Sequence, residues 1–307
     1  MTSPVENVTE ETITEIEGLS AAVFDNFESE VLDKTDKFTY DFLGVRTNIR
    51  YHKNWANFGG KQKPKPTTSW EWISLLWAVH TAGDSVTLVE CGAGWGPWVG
   101  RGYVAARNKS KKNISIVAVE GEPTHYEYMT EHFADNNIPE SHTDAILGVV
   151  SAESGISMFP LAPDPQTAWG LRSIHSDAKD EKSMIEELGA VPADDGPGLY
   201  TIPKRPGLYA IQRSVSVEDM LANKTVVDYI HFDIQGSEGD VIDSSIDVLN
   251  EKVRCIFIGT HSHPIEDQIK KALFAQNWHL VFDKTMSKRE NGSLQDGEQV
   301  WINPKFL

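Results

Sequence analysis

Along the chain, the spacing of hydrophobic positions changes period three times. Residues 1–19 (MTSPVENVTEETITEIEGL) are acidic and aperiodic, the pattern of a disordered tail. Residues 19–32 place Leu19, Val23, Phe24, Phe27 and Val31 at helical spacing, and residues 38–51 are β-formers broken at Gly44, which predicts two strands or one bent strand. A basic, proline-broken connector follows at 61–66. A helix over 70–81 is predicted next, capped by Thr68 or Ser69, with Trp70, Ile73, Leu76 and Trp77 on one face. Residues 20–84 therefore read as an N-terminal extension.

From Val86 the pattern alternates short apolar runs with helical stretches, the sign of a parallel sheet with helices on both faces. Strands are expected at 86–90, 114–119, 145–151, 227–233, 254–259 and 279–282, with a seventh at 298–303 beyond an Asn291-Gly292 turn. Helices are expected at 97–106, after Pro123 (with Tyr126, Met129 and Phe133 on one face), at 238–249 and at 265–276. The alternation stops between 160 and 213, a stretch holding seven prolines and a short helix at 183–188. That is too long for an ordinary connection and reads as an insertion or lid in an α/β domain spanning 85–307.

Composition narrows the function. The chain has 307 residues, 40% hydrophobic and 24% charged, and a net charge of −17. Acids predominate throughout, which argues against nucleic acid and anionic membranes as partners; a homo-oligomer stays open. No run reaches the roughly 18 apolar residues of a membrane span. The start has no basic segment followed by an apolar one, so no secretion signal is expected. Cys91 and Cys255, the two cysteines, form no CxxC pair and read as buried thiols in a reducing cytoplasm.

The candidate chemistry centres on 86–98, V-T-L-V-E-C-G-A-G-W-G-P-W. A buried strand ends in an acid, Glu90, followed by Gly92, Gly94 and Gly96. Alternate glycines let a ligand meet bare backbone, and a helix starting at Pro97 offers free N–H groups. A dinucleotide fingerprint would read G-x-G-x-x-G, and a carboxylate at Glu90 would repel a pyrophosphate. It suits an ammonium or sulfonium instead, while Glu120, ending the second strand, can accept both hydroxyls of a ribose. S-adenosylmethionine (SAM) satisfies both acids.

With these residues in place, the sequence resembles the class I SAM-dependent methyltransferases. V-A-V-E-G-E-P (117–123), S-V-E-D-M-L (216–221) and H-F-D-I-Q-G-S-E (231–238) resemble the FkbM-type branch of that family. The resemblance covers about residues 85–303 outside the insertion. It implies a Rossmann-like sheet of seven strands with the last reversed, and SAM across the strand C-termini. It places Glu90, Gly92, Ala93, Gly94 and Gly96 around the methionine part, with Trp95 bordering that end. Glu120, with Gly121 beside it, falls on the ribose, and Val150 and Ser151 near the adenine. The chain departs from the pattern at Gln235, where the signature usually has an acid, and at Gly259, where strand five often ends in one.

Methyl transfer to an alcohol needs alignment of acceptor, methyl and sulfur, and a base for the hydroxyl proton. The ends of strands four and five carry the candidates. Asp233 faces the expected methyl group, and His261 and Glu238 stand beside it; His263 follows, and His231 inside the strand reads as a core histidine. Asp233, Glu238 and His261 alternatively form a permissible divalent-cation set, with no metal as the favoured reading. Trp169, Arg172 and His175 of the insertion, with Trp70 and Trp72, are the candidate acceptor pocket. The function expected is O-methylation of a hydroxyl on a sugar, glycan or glycosylated small molecule. No N/D-P-P-Y/F follows strand four, which argues against a base amine. The alternatives are a nicotinamide-dependent oxidoreductase and a non-catalytic SAM-binding protein.

Overall fold

The structure, a computed structural model, describes residues 16, 18–28, 30, 32–53, 69–174, 176–288 and 292–307. The basic connector at 61–66, His175, Val31, Asn291 and most of the acidic N-terminal stretch lie outside the described residues.

In the extension, β1 (Phe38–Tyr40) and β2 (Arg46–Asn48) pair antiparallel around Gly44, and helix α1 runs from Trp70–Thr81. β3 (Ser85–Cys91), α2 (Pro97–Asn108), β4 (Asn113–Glu120), α3 (Pro123–Asp135) and β5 (Thr143–Leu147) follow. A second group holds β6 (Val149–Val150), β7 (Gly155–Pro160), α4 (Glu181–Leu188), β8 (Val191–Pro192), β9 (Leu199–Ile202) and β10 (Arg205–Val215). The chain closes with α5 (Val217–Met220), β11 (Tyr229–Phe232), α6 (Glu238–Lys252), β12 (Cys255–Thr260) and α7 (His263–Ala275). Last come β13 (His279–Lys284), the small pair β14 (Ser287–Lys288) and β15 (Leu294–Gln295), and β16 (Gly297–Ile302).

The seven-stranded sheet has the order β13-β16-β12-β11-β3-β4-β5, with β16 antiparallel to both neighbours. Its central strands are buried along most of their length because helices cover both faces. One face packs Leu75, Leu76, Val99 and Phe133 under α1, α2 and α3. The other packs Leu249, Ile269, Leu273 and Trp301 under α6 and α7. From β3 the chain first builds outward through β4 and β5, then returns to build β11 and β12 on the other side. That reversal opens a crevice at the carboxyl ends of β3 and β11, where open α/β sheets take their ligands.

Three expectations change. The helix expected at 19–32 is one 3-10 turn, Ala21–Asn26: Ser20 caps it, and Phe27 leaves it in extended conformation. Leu19, Val23, Phe24 and Phe27 still bury as expected. The third strand does not run to Ser151. It ends at Leu147, and Val149–Val150 join β10 in a separate sheet. A Cβ on Gly148 would meet the Arg213 carbonyl oxygen at 2.7 Å, so the chain crosses between sheets where only glycine fits. The insertion is a five-stranded sheet with α4, packed around Met158, Met184, Tyr200, Ile202 and Tyr209. Its strand prolines lie where a missing N–H is tolerated: Pro160 and Pro192 end β7 and β8, and Pro206 lies in the irregularity of β10 between Arg205 and Tyr209. Among the described residues no helix is long and apolar enough to cross a membrane.

Candidate active site

The loops after β3 and β11 touch. Gly92, Gly94 and Gly96 all have positive φ, 75°, 55° and 68°. A Cβ on Gly92 would lie 2.0 Å from the Asp233 carbonyl oxygen, so the glycine lets the two strand ends meet. Asp233 N–H donates to the Cys91 carbonyl at 3.0 Å. Between these loops opens a cavity of about 350 Å³, within the size range of cofactor sites.

Glu90 and Glu120 line its floor. Glu90 accepts from the amides of Trp98 (3.1 Å) and Val99 (2.9 Å), closing the N-terminus of α2. Burial pushes its carboxyl up to about 7, against the pull of His231 and those amides. Glu120 accepts from Gly94 N–H and Glu122 N–H, both at 2.7 Å, and burial raises it to about 7 as well. Each acid thus ties a loop in place and keeps lone pairs for a ligand. Two buried carboxyls raised this far gain most from a cationic or hydroxyl-bearing guest.

Around them stand Gly92, Ala93, Gly94, Trp95, Gly121 and Val150; Ser151 lines the adjoining cleft, and Gly96 instead caps α2 against Phe133. Trp169 folds over the glycine loop, 3.4 Å from where a Gly94 Cβ would stand. It stacks on His125 at 4.0 Å between ring centres and on His52 at 6.0 Å, and meets Trp95 edge-on at 4.7 Å. His125 Nε2–H donates to the Pro165 carbonyl at 2.8 Å. The extension, the glycine loop and the insertion thereby close one roof.

Asp233, at the carboxyl end of β11, also lines the cavity, its side chain 44% exposed. Its carboxylate lies 3.3 Å from His261 Nε2 and accepts from Gln235 Nε2 at 2.7 Å. His261 Nδ1 lies 2.9 Å from Glu238 Oε1. Glu238 is fully buried in the first turn of α6 and accepts from the amides of Ile234 (3.0 Å) and Gly236 (3.1 Å). Burial alone would lower His261; the hydrogen bonds and charges of Asp233 and Glu238 outweigh it and raise it to about 10. Burial alone would raise Asp233; the His261 hydrogen bond and charge, with His231 and Gln235, outweigh it and hold it below the usual carboxylate range. At neutral pH His261 is therefore held as imidazolium beside the Asp233 carboxylate. His261 thus bridges the two acids, Nε2 toward Asp233 and Nδ1 toward Glu238. The ligand atoms of the three lie within 4.8 Å of one another, so they also meet the geometry of a cation site.

Arg172 lines this cavity and a second, polar cleft of about 840 Å³ that runs from it between the insertion sheet and the start of α6. Trp70 does not face either: it is buried and stacks on Phe282 at 4.7 Å. Trp72 packs edge-on against Trp98 in the same core. His263 is 60% exposed and pairs with Glu266 at the start of α7. Sequence reasoning missed His52 and His125 at the cavity; His231, read as a core histidine, is buried and also lines it. His231 had a weak signal, since residues 231 and 233 share one face of a strand.

Fold and site together define an α/β protein with a ligand-sized cavity at the β3–β11 crevice. No family model matches the chain. Over 215 residues, 70% of each chain, it is 32% identical to a protein of Jannaschia sp. (strain CCS1) named "Putative methyltransferase". The chain belongs to the methyltransferases, and the order of its sheet makes it a class I, SAM-dependent member. Among solved structures it is similar to the methyltransferase FkbM of Methylobacillus flagellatus KT (TM-score 0.42, 11% identity), covering 79% of this chain and 56% of that one. It is also similar to precorrin-6y C5,15-methyltransferase of Geobacter metallireducens GS-15 (TM-score 0.38, 9% identity), covering 80% and 91%.

Proposed function

We propose that the protein transfers a methyl group from SAM to a hydroxyl of a sugar, glycan or glycosylated small molecule. The observation that carries the reading is the Asp233 carboxylate, which lines the cavity beside the glycine loop and is held from behind by His261 and Glu238. In this reading Glu90 receives the cofactor ammonium and Glu120 the ribose hydroxyls. SAM, when bound, supplies an electrophilic methyl. Asp233 then accepts the hydrogen bond of the incoming hydroxyl, aligns it and takes its proton as the bond forms. The neighbouring imidazolium disfavours protonation of Asp233, so alignment of the hydroxyl carries more of the step than the basicity of the carboxylate. The polar cleft along Arg172, Ser157, Ser173 and Ser214 offers hydroxyl and guanidinium groups to a polyol, and Trp169 offers an aromatic wall. The net charge of −17 favours an uncharged or cationic acceptor over nucleic acid.

The test is methyl transfer measured over a panel of free and conjugated sugars, with Asp233→Asn in parallel. The reading expects O-methyl products, and a fall of roughly 10²- to 10⁴-fold in kcat for the variant with S-adenosylhomocysteine (SAH) binding kept. Transfer only to amines, or full activity of the variant, counts against it; tight binding of NAD without SAM would turn it to the oxidoreductase alternative. A second reading makes Asp233, Glu238 and His261 ligands of a divalent cation. It requires Glu238 to give up hydrogen bonds from Ile234, Gly236 and His261. Activity abolished by a chelator and restored by magnesium or manganese supports that reading, and indifference to the chelator removes it.

A further inference from the structure

Three acids, Glu90, Glu120 and Asp233, line the cavity with four basic side chains, and those bases are unequal. His52 and His125 are pushed toward the neutral form by burial, and Arg172 lies on the insertion side, with a guanidinium nitrogen 3.5 Å from where a Gly236 Cβ would stand. On the floor, at the methionine end marked by Glu90, the basic group is His231, directly across from Glu90 in the pairing of β11 with β3.

His231 is held by one hydrogen bond and two ring stacks. Its side chain is 3% exposed, and Nε2–H donates to the Glu71 carboxylate of α1 at 3.2 Å. The ring is stacked between Phe257 (centres 5.0 Å apart, planes at 6°) and Trp98 (5.7 Å, 25°), so it cannot swing toward another partner. Nδ1 is buried and has no hydrogen-bond partner. A buried ring nitrogen without a partner, on a residue that lines a cavity, calls for a ligand to satisfy it. SAM has two charged groups at its methionine end. The ammonium suits Glu90; the α-carboxylate needs a donor within reach of the same floor.

We propose that His231 is a cofactor-binding residue: its imidazolium, held by Glu71, donates Nδ1–H to the α-carboxylate of the methionine part of SAM. This rests on the cofactor reading above and adds the residue that recognises the amino-acid end. The groups facing the ring are Glu71 from α1, Glu90 from β3, and Asp233 and Tyr229 from its own strand; Phe257 of β12 and Trp98 of α2 are uncharged. Burial disfavours the cation, and the Glu71 hydrogen bond and charge, with Glu90 and Asp233, raise the imidazole above its ordinary range. A charge-assisted bond in a site walled by aromatic rings is among the stronger polar contacts a cofactor can make.

The experiment compares two ligands on the full chain by calorimetry: SAH, which carries the carboxylate, and 5′-methylthioadenosine, which lacks the amino-acid end. His231→Gln is expected to weaken SAH roughly 10- to 100-fold and to leave methylthioadenosine unchanged. Glu71→Gln, which keeps the His231 ring but weakens its hydrogen bond, is expected to weaken SAH in the same direction and to leave methylthioadenosine unchanged. Arg172→Ala is expected to leave the ratio of the two affinities alone. Equal loss of both ligands in His231→Gln, unchanged SAH binding in either variant, or collapse of the ratio in Arg172→Ala overturns the proposal. A wild-type chain that binds no SAH refutes the cofactor reading itself, whereas one that binds SAH with or without His231 refutes only this inference.

Discussion

Glu238→Gln is the sharpest perturbation of the Asp233–His261–Glu238 trio, because it removes one charge and almost no volume. In the wild type the two carboxylates raise His261 from an ordinary 6.5 to about 10. At about 1.4 kcal/mol per pH unit this corresponds to on the order of 4 to 5 kcal/mol favouring imidazolium in the fold. Because the folded value lies above the unfolded one, that stabilisation is complete below pH 6.5 and is lost as pH rises through about 10. Wild-type unfolding free energy should therefore fall between these limits by up to about 1.4 kcal/mol per pH unit from this group. Without the Glu238 charge, Asp233 alone supports the cation, and the titration should drop by about one to two pH units, the expected share of one partner in two. The glutamine also leaves the Ile234 and Gly236 amides with one acceptor oxygen fewer, a further cost of about 1–3 kcal/mol. The His261 ring protons, followed by NMR between pH 5 and 11, separate the two effects. A wild-type His261 that titrates near 6.5, or one whose titration ignores Glu238→Gln, refutes the reasoning.

Other perturbations test other parts of the site. Gly92→Ala meets the Asp233 carbonyl at 2.0 Å and a φ of +75°, so denaturant unfolding should show a loss of about 2–4 kcal/mol, and the displaced Asp233 a fall of roughly 10²-fold in kcat. Stability and turnover within error of wild type would count against the close approach. Trp169→Ala removes the stack on His125 and the edge contact with Trp95, each of about 0.5–1.5 kcal/mol. Ligand affinity measured by calorimetry should drop roughly tenfold and the thermal midpoint fall by about 2–6 °C, and an unchanged affinity would remove Trp169 from the roof. Deletion of residues 165–205 should aggregate in a solubility assay, since it strips β8 and β9 from the core around Met158 and Tyr209; a soluble product that still binds SAH would show that the insertion sheet is dispensable.

Much of the scaffold was legible because parallel strands buried on both faces leave apolar runs that end in acids or glycines. Residues 86–90 and 114–119 anticipated β3 and β4 to within a residue or so, and the tryptophan-rich face anticipated α1 at its observed bounds. The continuous apolar run at 145–151 misled, because Gly148 moves the chain between two sheets without changing its pattern. The prolines of 160–213 read as a break in structure, although antiparallel strands place those within them at ends and in an irregularity. Asp233, Glu238 and His261 were within reach of sequence reasoning, since strand-end geometry predicts which residues converge. His231 was not: its meaning depends on Glu71, 160 positions away, and on two aromatic walls from other elements. For the same reason Trp70, conspicuous in the sequence, proved to be core packing.

The most direct measurement is a crystal structure of the full chain with SAH bound. The account predicts the ribose hydroxyls on Glu120, the amino-acid end between Glu90 and His231, and the sulfur turned toward the Asp233 carboxylate. SAH bound with its sulfur away from Asp233, or outside the crevice between β3 and β11, would contradict it.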